Sequence, residues 1–147
     1  MGNIFERGKT DGRRGLSVYV CDDDPQLRAV LQSQLFFLGH KSKLSASASA
    51  ALAELGLVSA HYDVAIIDLQ LPDLNGDKVI SWLSESELPS VKILPVLILT
   101  GQPDLLPPGI LSASWNIKML TKPYSTEDLD RCLYSLVGDS LGQLCRH

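Results

Sequence analysis

Three features of the chain predict an α/β domain with a parallel sheet covered on both faces. Short continuous apolar runs recur along it, segments of helical periodicity separate them, and the runs end abruptly in acidic or hydroxylated residues. Strands that are apolar throughout, rather than alternating, are buried on both sides. Strands that alternate with helices wind into a parallel sheet through right-handed crossovers, giving a doubly wound sandwich. The 147 residues suit one such domain.

The elements follow in order. Leu16-Ser17-Val18-Tyr19-Val20-Cys21 is a first strand, closed by Asp22, Asp23, Asp24 and Pro25. Leu27, Val30, Leu31, Leu35 and Leu38 recur at helical spacing and predict a helix, with Gly39 as the stop. Asp24, just before Pro25, suits the N-cap of that helix. A weak strand at 41–45 leads into an Ala/Ser/Leu-rich helix at 48–57. Val64-Ala65-Ile66-Ile67 is the third strand, closed by Asp68, and a helix is expected at 78–86 with Val79, Ile80 and Leu83 inward. Val96-Leu97-Ile98-Leu99 is the fourth strand, ending at Thr100. In the segment after it, Pro103, Pro107, Pro108 and Gly109 shorten or displace the next helix. Residues 117–120 make the fifth strand. The last helix carries Leu129, Cys132, Leu133, Leu136 and Val137 on one face, and Ser125 with Asp128 resembles a capping box at its start. The domain is expected over 16–138, between a flexible tail at 1–15 and a C-terminal tail at 139–147.

Composition bounds the function. Hydrophobic residues make up 45% and charged residues 20%, ordinary values for a globular protein. No apolar run approaches the roughly 20 residues that span a bilayer, so no membrane association is expected. A net charge of −4 argues against nucleic-acid binding. Three scattered cysteines, Cys21, Cys132 and Cys145, make neither a disulfide framework nor a zinc site, and point to a reducing cytoplasm. Gly8-Lys9-Thr10 lacks the glycine and the preceding strand of a phosphate-binding loop. His40, His61 and His147 fall on predicted loops or the terminus, away from the strand ends. Trp82 and Trp115 read as packing or surface residues.

The chemistry lies where the strands end, because a doubly wound sheet places its site outside their carboxyl ends. Asp22 and Asp23, then Asp68, Thr100 and Lys122 occupy those ends. Carboxylates gathered there repel one another unless a cation intervenes, and an oxygen-only set suits Mg²⁺. A lysine and a hydroxyl beside them supply the compensating charge and the donor that a transferring phosphoryl group needs.

The run Val20-Cys21-Asp22-Asp23-Asp24-Pro25, the segment Asp63-Val64-Ala65-Ile66-Ile67-Asp68-Leu69-Gln70-Leu71-Pro72-Asp73-Leu74-Asn75-Gly76, the run Pro95-Val96-Leu97-Ile98-Leu99-Thr100-Gly101 and the pair Lys122-Pro123 resemble, in order and spacing, the receiver domains of two-component response regulators. The resemblance covers roughly residues 16–138. It implies a single (βα)5 flavodoxin-like fold with strand order 2-1-3-4-5. It further implies that Asp68 is the phosphoacceptor, that Asp22, Asp23 and Asp68 hold Mg²⁺ (or Mn²⁺) with the backbone carbonyl of Gln70, and that Thr100 and Lys122 contact the phosphoryl oxygens. The Lys122-Pro123 bond is expected to be cis. The donor implied is a sensor histidine kinase or a histidine phosphotransfer protein, the output an unknown downstream protein, and the dimer face the fourth helix, fifth strand and fifth helix. Such a domain is not a multiple-turnover enzyme.

The sequence departs from the family pattern at Met119, where an aromatic is usual, and in the proline-rich segment after Thr100. Those departures keep a second reading open, a pseudo-receiver that binds partners without phosphoryl chemistry. A third, an aspartyl-phosphate phosphatase of the haloacid-dehalogenase type, needs a second aspartate where Gln70 stands. Gln70 and Gln102 occupy positions that tune the lifetime of the phosphorylated state in similar proteins.

Overall fold

The computed structural model describes residues 14–56, 61–68, 94–105 and 116–145. The five strands are β1 (Ser17–Cys21), β2 (Lys41–Ser45), β3 (Val64–Asp68), β4 (Val96–Thr100) and β5 (Ile117–Thr121). Three α-helices are described: α1 (Pro25–Phe37), α2 (Ala48–Leu55) and α3 (Thr126–Cys145), the last being the helix that follows β5. A short 3-10 turn spans Pro103–Leu105. The helix expected at 78–86, Trp82, Trp115 and Gln70 lie outside the described residues, as does most of the proline-rich segment.

All five strands are parallel, in the order β2-β1-β3-β4-β5. Every residue of β3 and β4 is buried, whereas β2, an edge strand, exposes Lys41 and Lys43. Lysines on an edge discourage pairing with another chain. On one sheet face Tyr19, Cys21, Ala65, Ile67 and Ile98 pack with Ala51 and Leu55 of α2. On the other, Val18, Val20, Ile66, Leu97 and Leu99 meet Leu31 and Leu35 of α1 and Leu129, Leu133 and Leu136 of α3. Each fully buried leucine contributes roughly 1.5–3 kcal/mol relative to exposure, so these two layers carry the fold.

The local signals act as the sequence implies at most element ends. The Asp24 carboxylate caps α1, accepting from the backbone N–H groups of Gln26 at 2.9 Å and Leu27 at 3.4 Å. Gly39, with φ 88°, takes the left-handed conformation that ends the helix. Ser125 and Asp128 exchange side-chain and backbone bonds at the start of α3, an Asp version of the capping box. The α3 backbone runs on to Cys145, through the segment from 139 that the sequence reading takes as a tail.

The inward face of α1 is narrower than its periodicity suggests. Leu31, Leu35 and Leu38 are buried, but Leu27 is 40% exposed and Val30 51%. Leu27, one turn before Leu31 on the same side, is left partly exposed in the first turn of the helix, and Val30, about a quarter-turn round from Leu31, faces outward.

The end of the sheet where the strands begin is tied by polar contacts that the sequence did not reveal. Arg14, within the expected tail, makes a two-pronged ion pair with Asp63 at 2.8 and 3.1 Å. Asp63 also accepts the Ser17 backbone N–H at 2.7 Å, and the Tyr134 hydroxyl donates to the Arg14 carbonyl. Burial pushes the Asp63 carboxyl up, but the bonds from Arg14 and Ser17 outweigh it and leave the group below its ordinary value. His40, expected on a surface loop, is a core residue 5% exposed. Its Nδ1 accepts from the Leu16 N–H at 3.0 Å, so the proton sits on Nε2, which faces Asp130 at 3.1 Å.

Candidate functional site

The opposite end of the sheet gathers residues from four strands. Asp22 and Asp23 follow β1, Asp68 and Thr100 are the last residues of β3 and β4, and Lys122 follows β5. The Lys122 N–H donates to the Thr100 carbonyl at 2.8 Å, continuing the ladder one step beyond the strands and fixing lysine beside threonine. Residues up to 100 positions apart in the chain are thus neighbours because the sheet is parallel.

Asp22, Asp23 and Asp68 each offer a carboxylate oxygen, and these oxygens lie within 4.8 Å of one another. Asp22 is 1% exposed, Asp68 9% and Thr100 7%, while Asp23 faces solvent. Asp22 Oδ1 accepts from the Asp24 N–H at 3.0 Å, whereas Asp22 Oδ2 is buried with no partner. Burial raises the Asp22 carboxyl above its ordinary value. The Asp24 bond opposes that rise, and the charge on Asp68 adds to it. Lys122 Nζ stands 3.5 Å from Asp68 Oδ2, an ion pair rather than a tight hydrogen bond. The Thr100 hydroxyl oxygen accepts from the Gln102 N–H at 3.0 Å, which leaves its own proton to donate. The Lys122-Pro123 peptide is cis, as the sequence resemblance implies.

A pocket of about 360 Å³ opens beside this cluster, lined by Asp22, Leu27, Val30, Lys122, Pro123 and Tyr124 among others. The Tyr124 hydroxyl is held protonated there: burial and the charge of Asp22 push it up to about 12. Tyr124 was not singled out in the sequence, although its place two residues after Lys122 marks it as a wall of the site. Met119 is half-exposed on the edge strand, opposite Ile98 in register.

A carboxylate triad with one orphaned buried oxygen thus stands beside an ammonium and a hydroxyl. The family model described as the response regulator receiver domain matches residues 18–133. The chain belongs to the response regulator receiver domain family. This receiver is 26% identical over 129 residues to the transcriptional regulatory protein TrcR of Mycobacterium tuberculosis, covering 88% of this chain and 48% of that protein. It is 30% identical over 97 residues to the sensory/regulatory protein RpfC of Xanthomonas campestris, covering 66% of this chain and 13% of that one. The receiver therefore spans about half, or less, of the curated relatives it matches. Among solved structures it resembles the receiver domain of sensor histidine kinase PA1611 from Pseudomonas aeruginosa, which holds a magnesium ion in its active-site cleft. That match has 25% identity, a TM-score of 0.71 and coverage of 84% of this chain and 98% of that one. A receiver domain protein from Methanospirillum hungatei shares the fold at TM-score 0.75 and 19% identity, over 88% of this chain and 98% of its own.

The receiver reading accounts for the site residues brought together here. Asp22, Asp23, Asp68, Thr100 and Lys122 converge as their order in the sequence implies. Among the described residues, no helix is long and apolar enough to cross a membrane.

Proposed function

We propose that this receiver takes a phosphoryl group from a phosphohistidine, on a sensor histidine kinase or a histidine phosphotransfer protein, onto Asp68. The observation that carries the proposal is the convergence of Asp22, Asp23 and Asp68 within 4.8 Å beside Lys122 and Thr100. In the reaction an Asp68 carboxylate oxygen attacks phosphorus, the P–N bond to the donor imidazole breaks, and the imidazole leaves to take up a proton. The product is an acyl phosphate.

Each neighbour has a role in that exchange. Lys122 balances the Asp68 carboxylate beforehand and pairs with a phosphoryl oxygen afterwards. Thr100 turns its hydroxyl proton toward a second oxygen. The buried Oδ2 of Asp22 lacks any partner, and a divalent cation is the group such an oxygen fits. Mg²⁺, or Mn²⁺, is therefore assigned to Asp22, Asp23 and Asp68, with the Gln70 carbonyl as the further ligand that the family pattern implies. When bound, the ion supplies neutralising charge to the phosphoryl oxygens. The wall formed by Pro123 and Tyr124 confines the approach to the carboxylate and limits the access of water.

Attachment of the group alters the partner preference of the surrounding surface, a shift in population between two arrangements. The reading makes the domain a signalling switch that modifies itself, not an enzyme of multiple turnover, and gives it no direct nucleic-acid contact. A reducing cytoplasmic location goes with it, in keeping with Cys21 and Cys132 forming no disulfide.

Incubation with Mg²⁺ and acetyl phosphate, read by intact-protein mass, is the test. The expected outcome is one phosphate adduct in the wild type, absent from Asp68→Asn and from a metal-free control. No adduct in any sample would replace this proposal with that of a phosphorylation-independent interaction module.

A further inference from the structure

The segment that carries two of the three clustered carboxylates is closed on itself by hydrogen bonds. Asp22 Oδ1 accepts from the Asp24 N–H at 3.0 Å. The Asp24 carboxylate in turn accepts from the Gln26 and Leu27 N–H groups in the first turn of α1. The Arg28 N–H donates to the Asp24 carbonyl at 2.9 Å, and the Arg28 guanidinium reaches back six residues to donate to the Asp22 carbonyl, also at 2.9 Å. The circuit runs from the end of β1 through the helix cap into α1 and back. Asp23 sits inside it and faces solvent, and among the described residues its side chain makes no hydrogen bond or ion pair. The position of Asp23 is therefore set by its two neighbours. Arg28 is the one charged residue of α1. Arginine ordinarily takes a carboxylate as its partner, yet none among the described residues pairs with this one. Its bond goes to the backbone of a clustered aspartate instead.

We propose that Arg28 is a positioning residue for the cation site: by holding the Asp22 carbonyl it fixes the Asp22 and Asp23 carboxylates where one divalent ion can take both. The inference rests on the assignment of that ion to Asp22, Asp23 and Asp68 made above. Among the described residues Arg28 is the one donor to the Asp22 carbonyl, which lies a residue beyond β1. Asp22 Oδ2 has no partner of its own, so the direction of that oxygen follows the backbone that carries it. Mg²⁺ demands near-ideal octahedral geometry, and a ligand displaced by about 1 Å no longer meets it. Groups that orient metal ligands in this way are typically worth about 10–100-fold in affinity. An arginine could also act on a cation through its charge, with the opposite sign. A guanidinium repels the ion, so deleting it as a charge tightens binding, whereas deleting it as a donor loosens the ligands and weakens binding.

Binding of Mn²⁺ to the unphosphorylated chain, read by the loss of the free ion's electron paramagnetic resonance signal, tests the proposal. Arg28→Ala is expected to weaken binding by about tenfold or more. Arg28→Met, which keeps the stem and loses the donor, should match it. Arg28→Lys, which keeps a donor on a long stem, should recover most of the loss. Arg131→Ala removes an equal charge from the exposed side of α3 and should leave binding unchanged. Circular dichroism checks that each variant is folded at the temperature of the titration. Unchanged or tighter binding by Arg28→Ala and Arg28→Met overturns the proposal, as does a loss that Arg131→Ala shares or that Arg28→Lys fails to recover. A wild type that takes up no Mn²⁺ overturns the cation assignment and this inference with it, whereas a failure confined to the Arg28 variants leaves that assignment standing.

Discussion

The two ends of the sheet are built on opposite terms. Where the strands begin, Asp63 has Arg14 and the Ser17 N–H, and the His40 ring spans from the Leu16 N–H to Asp130. Where they end, three carboxylates crowd within 4.8 Å, one buried oxygen has no partner, and the neighbouring ammonium stands off at 3.5 Å. The first arrangement fastens the sheet and the segment leading into it. The second crowds negative charge together, and on the function proposed above a cation and a phosphoryl group engage it. Stability is invested at one end, and the other spends it on function.

Substitutions at the two ends should therefore move stability in opposite directions. The largest effect is expected from His40→Ala, which empties a core site and strands the Leu16 N–H. A loss of about 2–4 kcal/mol in urea unfolding is expected, with the Asp68 adduct still forming in the surviving folded fraction. Asp22→Asn should do the reverse in metal-free buffer, stabilising the domain by about 1 kcal/mol because a buried charge without a partner is removed. Mg²⁺ is expected to raise the thermal midpoint of the wild type, and the same variant is expected to lose that rise. A destabilised Asp22→Asn would mean that the carboxylate is already compensated and would end the contrast.

The smallest effect concerns Arg14. Its ion pair is partly exposed, so Arg14→Ala should cost about 0.5–1 kcal/mol near neutral pH. The sign with pH follows from Asp63, whose carboxyl lies below its ordinary value in the folded protein. Stability from such a group is present above the unfolded value near 4 and is lost as pH falls through the lower folded value. Wild type and Arg14→Ala should thus converge in acid and separate as pH rises toward neutrality. Curves that run parallel across that range would remove Arg14 from the account.

The contrast also explains what could be read from the sequence. The functional end was legible because its residues stop apolar runs: Asp22, Asp68, Thr100 and Lys122 each stand where a strand must end, and topology does the rest. The fastening end was not. Arg14 lies among glycines and arginines that resemble a tail, and His40 follows Gly39 as a loop residue would. Their partners, Asp63, Asp130 and Tyr134, are tens of residues away, and no spacing rule links them. The exposure of Leu27 and Val30 was not legible for a different reason. Periodicity identifies the apolar residues of a helix but does not tell how far along and around it the sheet extends. Tyr124 and Asn116, whose amide donates to the Leu94 carbonyl at 3.0 Å, needed the tertiary contacts to be seen.

β5 has a second consequence, for the history of the chain rather than its chemistry. Among the described residues it is the last strand in the chain and forms one border of the sheet, paired with β4. Until it docks, Val96-Leu97-Ile98-Leu99-Thr100 presents an uncovered row of backbone groups flanked by apolar side chains, the composition that recruits other chains into aggregates. β5 closes that border with a strand that carries Lys118. The strand that leads to Lys122 thus also covers an apolar edge, so a chain ending before residue 117 would lack Lys122 and leave β4 open to other chains.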